Sequence, residues 1–423
     1  MAPYVDIWDH KGPGLFLIEW LGQVIWPGRI GIFIIQVLSL FGTLLCLDSI
    51  AKHFISPLLR GLAVIITLAF LVAPYQGGNL TEEYSLFFIA LVLMLLTREW
   101  CTGKPLALIW FSVAGASFAF LAFIRINNAV PVFAIFLVYF VFALIKKKRV
   151  WVPLLISLAG FAATTFAFLA WFALAGSLSE MLYAVFTFNS LYNSAYPYDY
   201  NSLLGTPYGI LGAFALLLGL VGGIVDRQIH KRQEWFALSW TMVALSGAVM
   251  FMNTNAYMHY LQLGLPIVFL GSVLIMQAVK NESKFLVAIV VLLLTVPMML
   301  GYVHRSTVSP APKNEASYAA AAERILEWIP ESDRSQVYGW NLEPKFFLIT
   351  DTLPIQRFYF LQDKWSEIDP KIKQEVLNFV SDEKPRWVIR PKTQEPITEM
   401  QKLLDSNYDL VHENSYFYLY ELK

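Results

Sequence analysis

Charge is what this sequence has least of. Asp, Glu, Lys and Arg make up 15% of its 423 residues, against about 25% in soluble globular domains. That is too little polar surface to cover a water-soluble globule of this size. With AVILMFWYC at 57% and a mean hydropathy of +0.55, an ordinary cytosolic enzyme and a disordered chain are both excluded. Cysteine is nearly absent as well. Cys46 and Cys101 lie in or beside apolar stretches without metal-ligand spacing, which excludes a disulfide-stapled secreted module. No basic tract is large enough to engage nucleic acid.

The charge that is present divides the chain. Residues 306–423 carry 14 Lys and Arg against 19 Asp and Glu, which leaves 17 against 12 for residues 1–305. A membrane domain is therefore followed by an acidic domain of different composition. Ten segments are apolar enough to cross a bilayer as helices: roughly 30–50, 57–74, 84–97, 106–124, 128–145, 150–176, 207–225, 234–252, 260–279 and 284–303. Residues 14–26 are shorter and interrupted by Glu19 and Gln23, the pattern of an interfacial amphipathic helix ended by Pro27-Gly28. Residues 178–192, aromatic and polar, read as a surface-lying loop or helix.

Basic residues orient the spans. Lys52 and Arg60, Arg98 and Lys104, the run Lys146–Arg149, Arg227 with Lys231 and Arg232, and Lys280 with Lys284 follow every odd span. The opposite loops 76–83, 177–205 and 253–260 contain no Lys or Arg. The odd loops are thus assigned to the cytoplasm. The first 29 residues, loops 76–83, 177–206 and 253–260, and the C-terminal domain are assigned to the outside of a plasma membrane. The organisation expected is 1–29 as an extracytoplasmic loop and interfacial helix, 30–305 as the transmembrane domain and 306–423 as an extracytoplasmic α/β domain. In the last, helices are expected at 315–328, 366–380 and 397–405, strands at 336–340 and 386–390, and a closing hairpin at 408–421, with no Gly-rich phosphate loop and no Cys/His metal cluster. An outside N-terminus with no signal peptide leaves two readings. A short tail is translocated by itself, or an upstream helix precedes Met1, which is the expectation here.

Polar groups inside a membrane domain are costly and mark function by default. Those of this chain fall on the side assigned to the outside: Asp6, Asp9, His10 and Lys11 ahead of the interfacial helix, Glu82 and Glu83 at the third span, Arg125 with Asn127 and Asn128 between spans four and five, and His259 at span nine. Brought to one membrane face, they make a particular chemistry possible. Cations bind a phosphate at headgroup depth, and a carboxylate accepts a proton from a hydroxyl or holds a divalent ion. Each also has a plainer reading. Asp9 and Lys11 would be a loop ion pair, Glu82 and Glu83 helix N-terminal charges, Arg125 loop polarity and His259 an interfacial histidine. Tyr192, Tyr196, Tyr198 and Tyr200 read first as an aromatic belt.

The segment YVDIWDHKGPGLFLIEWLG at 4–22 resembles the first loop of the GT-C membrane glycosyltransferases, especially lipid A aminoarabinose transferases, protein O-mannosyltransferases and bacterial surface-polysaccharide enzymes. GGNLTEEYSLFF at 77–88, FIRINNA at 123–129, MHYLQLGLP at 258–266 and QVYGW…LPIQRFYF at 336–360 are similar to later segments, in the same order. The resemblance implies a GT-C-like α-helical polytopic membrane protein with about ten transmembrane helices and a small extracytoplasmic α/β domain. It implies a polyprenyl-phosphate-linked sugar donor and an extracytoplasmic acceptor. Lys11 and Arg125 would hold the phosphate, and Glu82 or Glu83 would be the second-loop acid that positions a metal or that phosphate. His259 would line the pocket, with Asp6 and His10 near the substrate. The family's main catalytic acid lies ahead of the Lys-Pro segment. It is expected upstream of Met1, leaving Asp6 and Asp9 as first-loop acids and the chain as given inactive. A transporter or flippase of lipid-linked sugars, or a polysaccharide polymerase or ligase, are the competing classes. The transporter fits less well, because the polar residues gather at one face and no span is broken into paired half-helices.

Reporter fusions test the orientation. Those placed after Lys148 and Lys231 are expected to read cytoplasmic, and those after Gly205 and Lys423 external. A cytoplasmic C-terminus would overturn the span count.

Overall fold

A backbone in hydrocarbon can satisfy its N–H and C=O groups only within its own segment, so long apolar runs must fold as helices. A computed structural model describes residues 2–195, 206–251, 257–278 and 313–423. These divide into two units. One holds residues 11–171, 206–251 and 257–278, and the other holds 2–10, 172–195 and 313–423.

The first unit is a helical bundle. Helix α1 (Pro13–Ile25) is the short amphipathic segment, with Pro13 at its first turn. It is followed by α2 (Arg29–Ala51), α3 (Pro57–Leu71), α4 (Thr81–Thr102), α5 (Leu108–Ile124), α6 (Val130–Ile145) and α7 (Trp151–Leu174). Two short helices, α8 (Leu178–Leu182) and α9 (Asn189–Ala195), belong to the other unit, and α10 (Pro207–His230), α11 (Gln233–Phe251) and α12 (Leu265–Ala278) return to the bundle. Among the described residues seven helical segments are long and apolar enough to cross a membrane. Helices α3 and α5, at 15 and 17 residues, fall short of that length. The protein is a polytopic α-helical membrane protein. The expected span 284–303 and the tyrosines at 196, 198 and 200 lie outside the described residues.

Helices that share a lipid solvent gain little from apolar burial and associate through close packing, which favours small residues. Helices α5 and α7 meet in this way. A Cβ on Gly115 would stand 1.9 Å from the Ser157 carbonyl oxygen, and one on Gly160 would stand 2.1 Å from that of Ser112. Ser112 and Gly115 thus face Ser157 and Gly160, with no room for a methyl group.

The second unit is built on a four-stranded sheet of order β1-β2-β4-β3, with β1 (Val337–Gly339), β2 (Trp387–Pro391), β3 (Tyr408–Glu413) and β4 (Phe417–Leu422). β1 and β2 are parallel, and the other pairs are antiparallel. The hairpin turns at Asn414, whose Oδ1 accepts from the backbone N–H of Tyr416 and Phe417 at 2.9 and 3.0 Å. Helices α13 (Lys313–Glu327), α14 (Pro344–Thr350), α15 (Gln362–Ile368), α16 (Pro370–Asn378) and α17 (Thr398–Asn407) complete it. The single helix expected at 366–380 is two. Pro370 disfavours helical backbone at Asp369, which instead caps α16 by accepting from the N–H of Lys371 at 2.8 Å. The core gathers Ile325, Phe346, Trp387, Ile389, Phe417 and Leu419.

The N-terminal residues are part of this second unit. The Trp8 N–H donates to the Arg357 carbonyl at 3.0 Å. Its fully buried indole packs against Phe188, Phe358 and Trp365 with ring centroids 4.8, 5.0 and 4.7 Å away.

Gly115→Val and Gly160→Val are expected to force α5 from α7 at a cost of about 1–3 kcal/mol each, read as a lowered thermal midpoint of the detergent-solubilised protein. Gly61→Ala, on α3 where an added Cβ meets nothing within 4 Å, is expected to be neutral or slightly stabilising.

Candidate functional site

The polar end of the bundle is organised by two adjacent glutamates that look in different directions. Glu82 and Glu83 sit in the first turn of α4, where the helix dipole favours negative charge. Successive helical residues point about 100° apart, and the two carboxylates find separate partners. Glu83 Oε2 accepts from the backbone N–H of Asn79 at 2.9 Å and from Gln36 Nε2 at 3.1 Å. The first bond reaches back over the helix N-terminus as a capping acid does, and the second ties α4 to α2. Glu82 turns to Arg125. Its Oε1 lies 2.6 Å from Arg125 Nη1, and its Oε2 accepts from Thr81 Oγ1 at 2.9 Å.

Arg125 stands in extended backbone between α5 and a short 3-10 turn, Ile126–Ala129, that leads into α6. Its second guanidinium nitrogen donates to Tyr260 Oη at 2.8 Å, and the guanidinium carbon lies 4.4 Å from the Tyr260 ring centroid. The Glu82 side chain is 1% exposed and that of Arg125 29%. The acid is sealed while the base keeps an open flank. Asn128 braces the turn by donating to Ser85 Oγ at 2.9 Å.

Lys11 reaches the same end of the bundle through glycine. The Gly12 N–H donates to the Ile124 carbonyl at 3.2 Å, and a Cβ at Gly12 would stand 2.0 Å from the Phe123 carbonyl oxygen. Only glycine allows that approach, and it leaves the exposed Lys11 beside the turn that starts at Arg125. His259 closes the group. It feels the charges of Glu82, Arg125 and Lys11, its Nδ1 lies 2.8 Å from Gln76 Oε1, and its ring is stacked on Tyr257.

Of the residues singled out in the sequence, the bundle therefore gathers Lys11, Glu82, Arg125 and His259, with Glu83 behind them. Asp6, Asp9 and His10 belong to the α/β unit. His10 Nε2 lies 3.9 Å from Asp9 Oδ1, its ring packs against Phe188 and Tyr192, and its carbonyl accepts from Asn189. Asp6 accepts from the Ala2 N–H and lines a cavity of about 600 Å³. Arg357 in that cavity is already bound to Glu375 and Glu180. That is a poor setting for an anion. Sequence reasoning missed Tyr260, Gln36 and Gln76. A neutral phenol or amide carries no charge signal, although Tyr260 stands in a segment already singled out. Among the described residues no group of three or more His, Cys, Asp or Glu could hold a metal ion.

An apolar groove of about 370 Å³ lies alongside. It is lined from α1, α2, α4 and α5 by residues that include Leu17, Leu21, Leu38, Tyr84, Phe88 and Phe120. Tyr84 directly follows Glu83, and Phe120 precedes Arg125 by little more than a helical turn, so the groove begins close to the charged cluster.

No protein-family model matches the sequence, and no curated protein sequence matches it. Solved structures do. Over 97% of this chain and 87% of the other, the fold is similar to that of ArnT from Cupriavidus metallidurans bound to undecaprenyl phosphate, with a TM-score of 0.62 at 10% identity. It is also similar to an Archaeoglobus fulgidus oligosaccharyltransferase solved with Zn and sulfate, with a TM-score of 0.51 at 12% identity. That second match covers 92% of this chain and 60% of the other.

A double-mutant cycle tests the division between the glutamates. Glu82→Gln combined with Arg125→Gln is expected to show about 1–3 kcal/mol of coupling in unfolding free energy. Glu83→Gln, which shares no partner with Arg125, is expected to add to Arg125→Gln within about 0.5 kcal/mol.

Proposed function

This chain has the GT-C fold, and from that premise we propose that it is a membrane glycosyltransferase. It moves a sugar from a polyprenyl-phosphate-linked donor to an extracytoplasmic acceptor hydroxyl or amine. The observation that carries the reading is Arg125: a partly exposed guanidinium locked by Glu82 and Tyr260, at the end of the bundle to which Gly12 brings Lys11. The two cations suit a phosphate at headgroup depth, and the adjacent apolar groove suits the prenyl tail. The undecaprenyl phosphate bound to ArnT supports the same class of lipid.

In this reaction the bond between the sugar's anomeric carbon and the phosphate oxygen breaks, and a bond from that carbon to the acceptor forms. The acceptor's proton passes to a base, and the lipid phosphate leaves with added negative charge. Lys11 and Arg125 stabilise that growing charge from fixed positions, which costs no reorganisation at the moment of reaction. Glu82 and Tyr260 are positioning residues that hold the guanidinium. Glu83 holds α4 to α2, and His259 lines the donor pocket. Asp6, Asp9 and His10 belong to the α/β unit and are given no part in this step. The α/β unit then faces the outside of the plasma membrane, a placement that the distribution of basic loops supports.

Sugar transfer from polyprenyl-phosphate sugars tests this, measured on the reconstituted chain both as given and with a helix carrying a first-loop acid added ahead of Met1, the variants being compared in the form that turns over. Lys11→Ala and Arg125→Ala are each expected to lower kcat about a hundred- to thousandfold. Glu83→Gln is expected to lower thermal stability more than kcat. Full turnover by Arg125→Ala would end the phosphate role.

A further inference from the structure

The opposite end of the bundle holds a cavity that this chemistry does not use. It measures about 280 Å³ and lies between the C-terminal ends of α2 and α4. Its polar lining comes from Ser49, Lys52 and His53 on one side and Thr97, Arg98 and Thr102 on the other. Among the described residues no carboxylate lines it. The two acids beside it in sequence are engaged elsewhere. Asp48 is paired with Arg60 at 2.6 Å, and Glu99 is held by Lys148 and by Tyr139 Oη. The cavity therefore keeps a positive field. A helix C-terminus favours one cation for its own sake, but that does not explain why two helices aim theirs into a shared cup.

The surroundings set its depth. Trp100, Trp235 and Phe54 cluster nearby, with Trp235 centroids 5.6 Å from Trp100 and 4.9 Å from Phe54, and the Arg232 guanidinium lies over Phe54. Trp235 is buried in the bundle core, while Lys52 and Arg98 are exposed at the ends of two apolar helices, where cations sit at the headgroup level of a bilayer. Basic pockets between membrane helices on the cytoplasmic side are a known way to hold anionic headgroups.

We propose that this cup is a binding site for a phosphate-ester anion, supplied by the headgroup of an anionic phospholipid in the leaflet at the basic end of the bundle. Lys52 and Arg98 neutralise the phosphate, and Ser49 and Thr102 offer hydroxyls to its oxygens. The site would join the ends of α2 and α4, the same helices that Gln36 and Glu83 join at the far end. It stands independently of the transferase reading.

Native mass spectrometry of the full chain in neutral detergent, titrated with phosphatidylglycerol or phosphatidylcholine, tests it. Phosphatidylglycerol is expected to be retained at least tenfold more strongly. A surface cation near an anionic headgroup contributes about fivefold, so Lys52→Ala with Arg98→Ala should lower that retention about twentyfold or more. The exchange Lys52→Arg with Arg98→Lys should preserve it. Both residues are exposed, so the thermal midpoint in phosphatidylcholine should match the parent. Independently of any variant, raising NaCl should erase the preference. Displacement of phosphatidylglycerol by millimolar inorganic phosphate would uphold the anion site and assign it a soluble ligand. Equal retention of the two lipids, or unchanged retention in the alanine variant, would overturn the proposal.

Discussion

A carboxylate sealed at the end of an apolar bundle needs a counter-charge or dedicated hydrogen-bond donors, and the Glu82–Arg125 pair is the constraint around which this end of the protein is built. Removing one member of a buried pair leaves an uncompensated charge and costs several kcal/mol. Each member therefore fixes the other's backbone. Arg125 is held between α5 and α6 where Glu82 can reach it, and Tyr260 is drawn in from 135 residues further along the chain. The last residues of α5, just before Arg125, offer the carbonyls on which Gly12 rests, which brings Lys11 to the same end of the bundle. One ion pair thus gathers α4, α5, the start of α1 and the approach to α12.

The asymmetry of that pair matters as much as its strength. If both groups were sealed, the pair would be structural and inert. If both were exposed, solvent would weaken it. With the acid buried and the guanidinium partly open, the fold spends its stabilisation on one side and keeps a directed cation on the other. Glu83 contrasts with its neighbour. Its carboxylate is consumed by a backbone N–H and Gln36, which makes it a joint of the scaffold.

Much of the fold could be read from one-dimensional signals, because membrane helices and loop charge are local properties. Helices α2, α4, α6, α7, α10 and α11 stand where the hydrophobic runs put them, and the hairpin lies where Asn414 interrupts two alternating strands. What escaped reading was pairing at long range. Nothing local says that Trp8 belongs with Phe358 and Trp365, since the information lies in complementary shapes about 350 residues apart. Asp6, Asp9 and His10 read as companions of Lys11 by adjacency, yet they are packed in a different unit from it. Tyr260 went unnamed because a phenol near a membrane surface is ordinary until its hydrogen bond is seen.

The position of Trp8 also bears on how the protein is made. The α/β unit takes residues 2–10, the stretch after α7 and residues 313–423, so its aromatic core joins parts of the chain made at widely separated times. Until Trp365 and the strands beyond it have been made, Trp8 and Phe188 lack the larger part of their aromatic partners. A severed C-terminal fragment would meet the converse problem, with Phe358 and Trp365 bare. The unit cannot be treated as a removable module. Its core can close only after the helices between these stretches have been made.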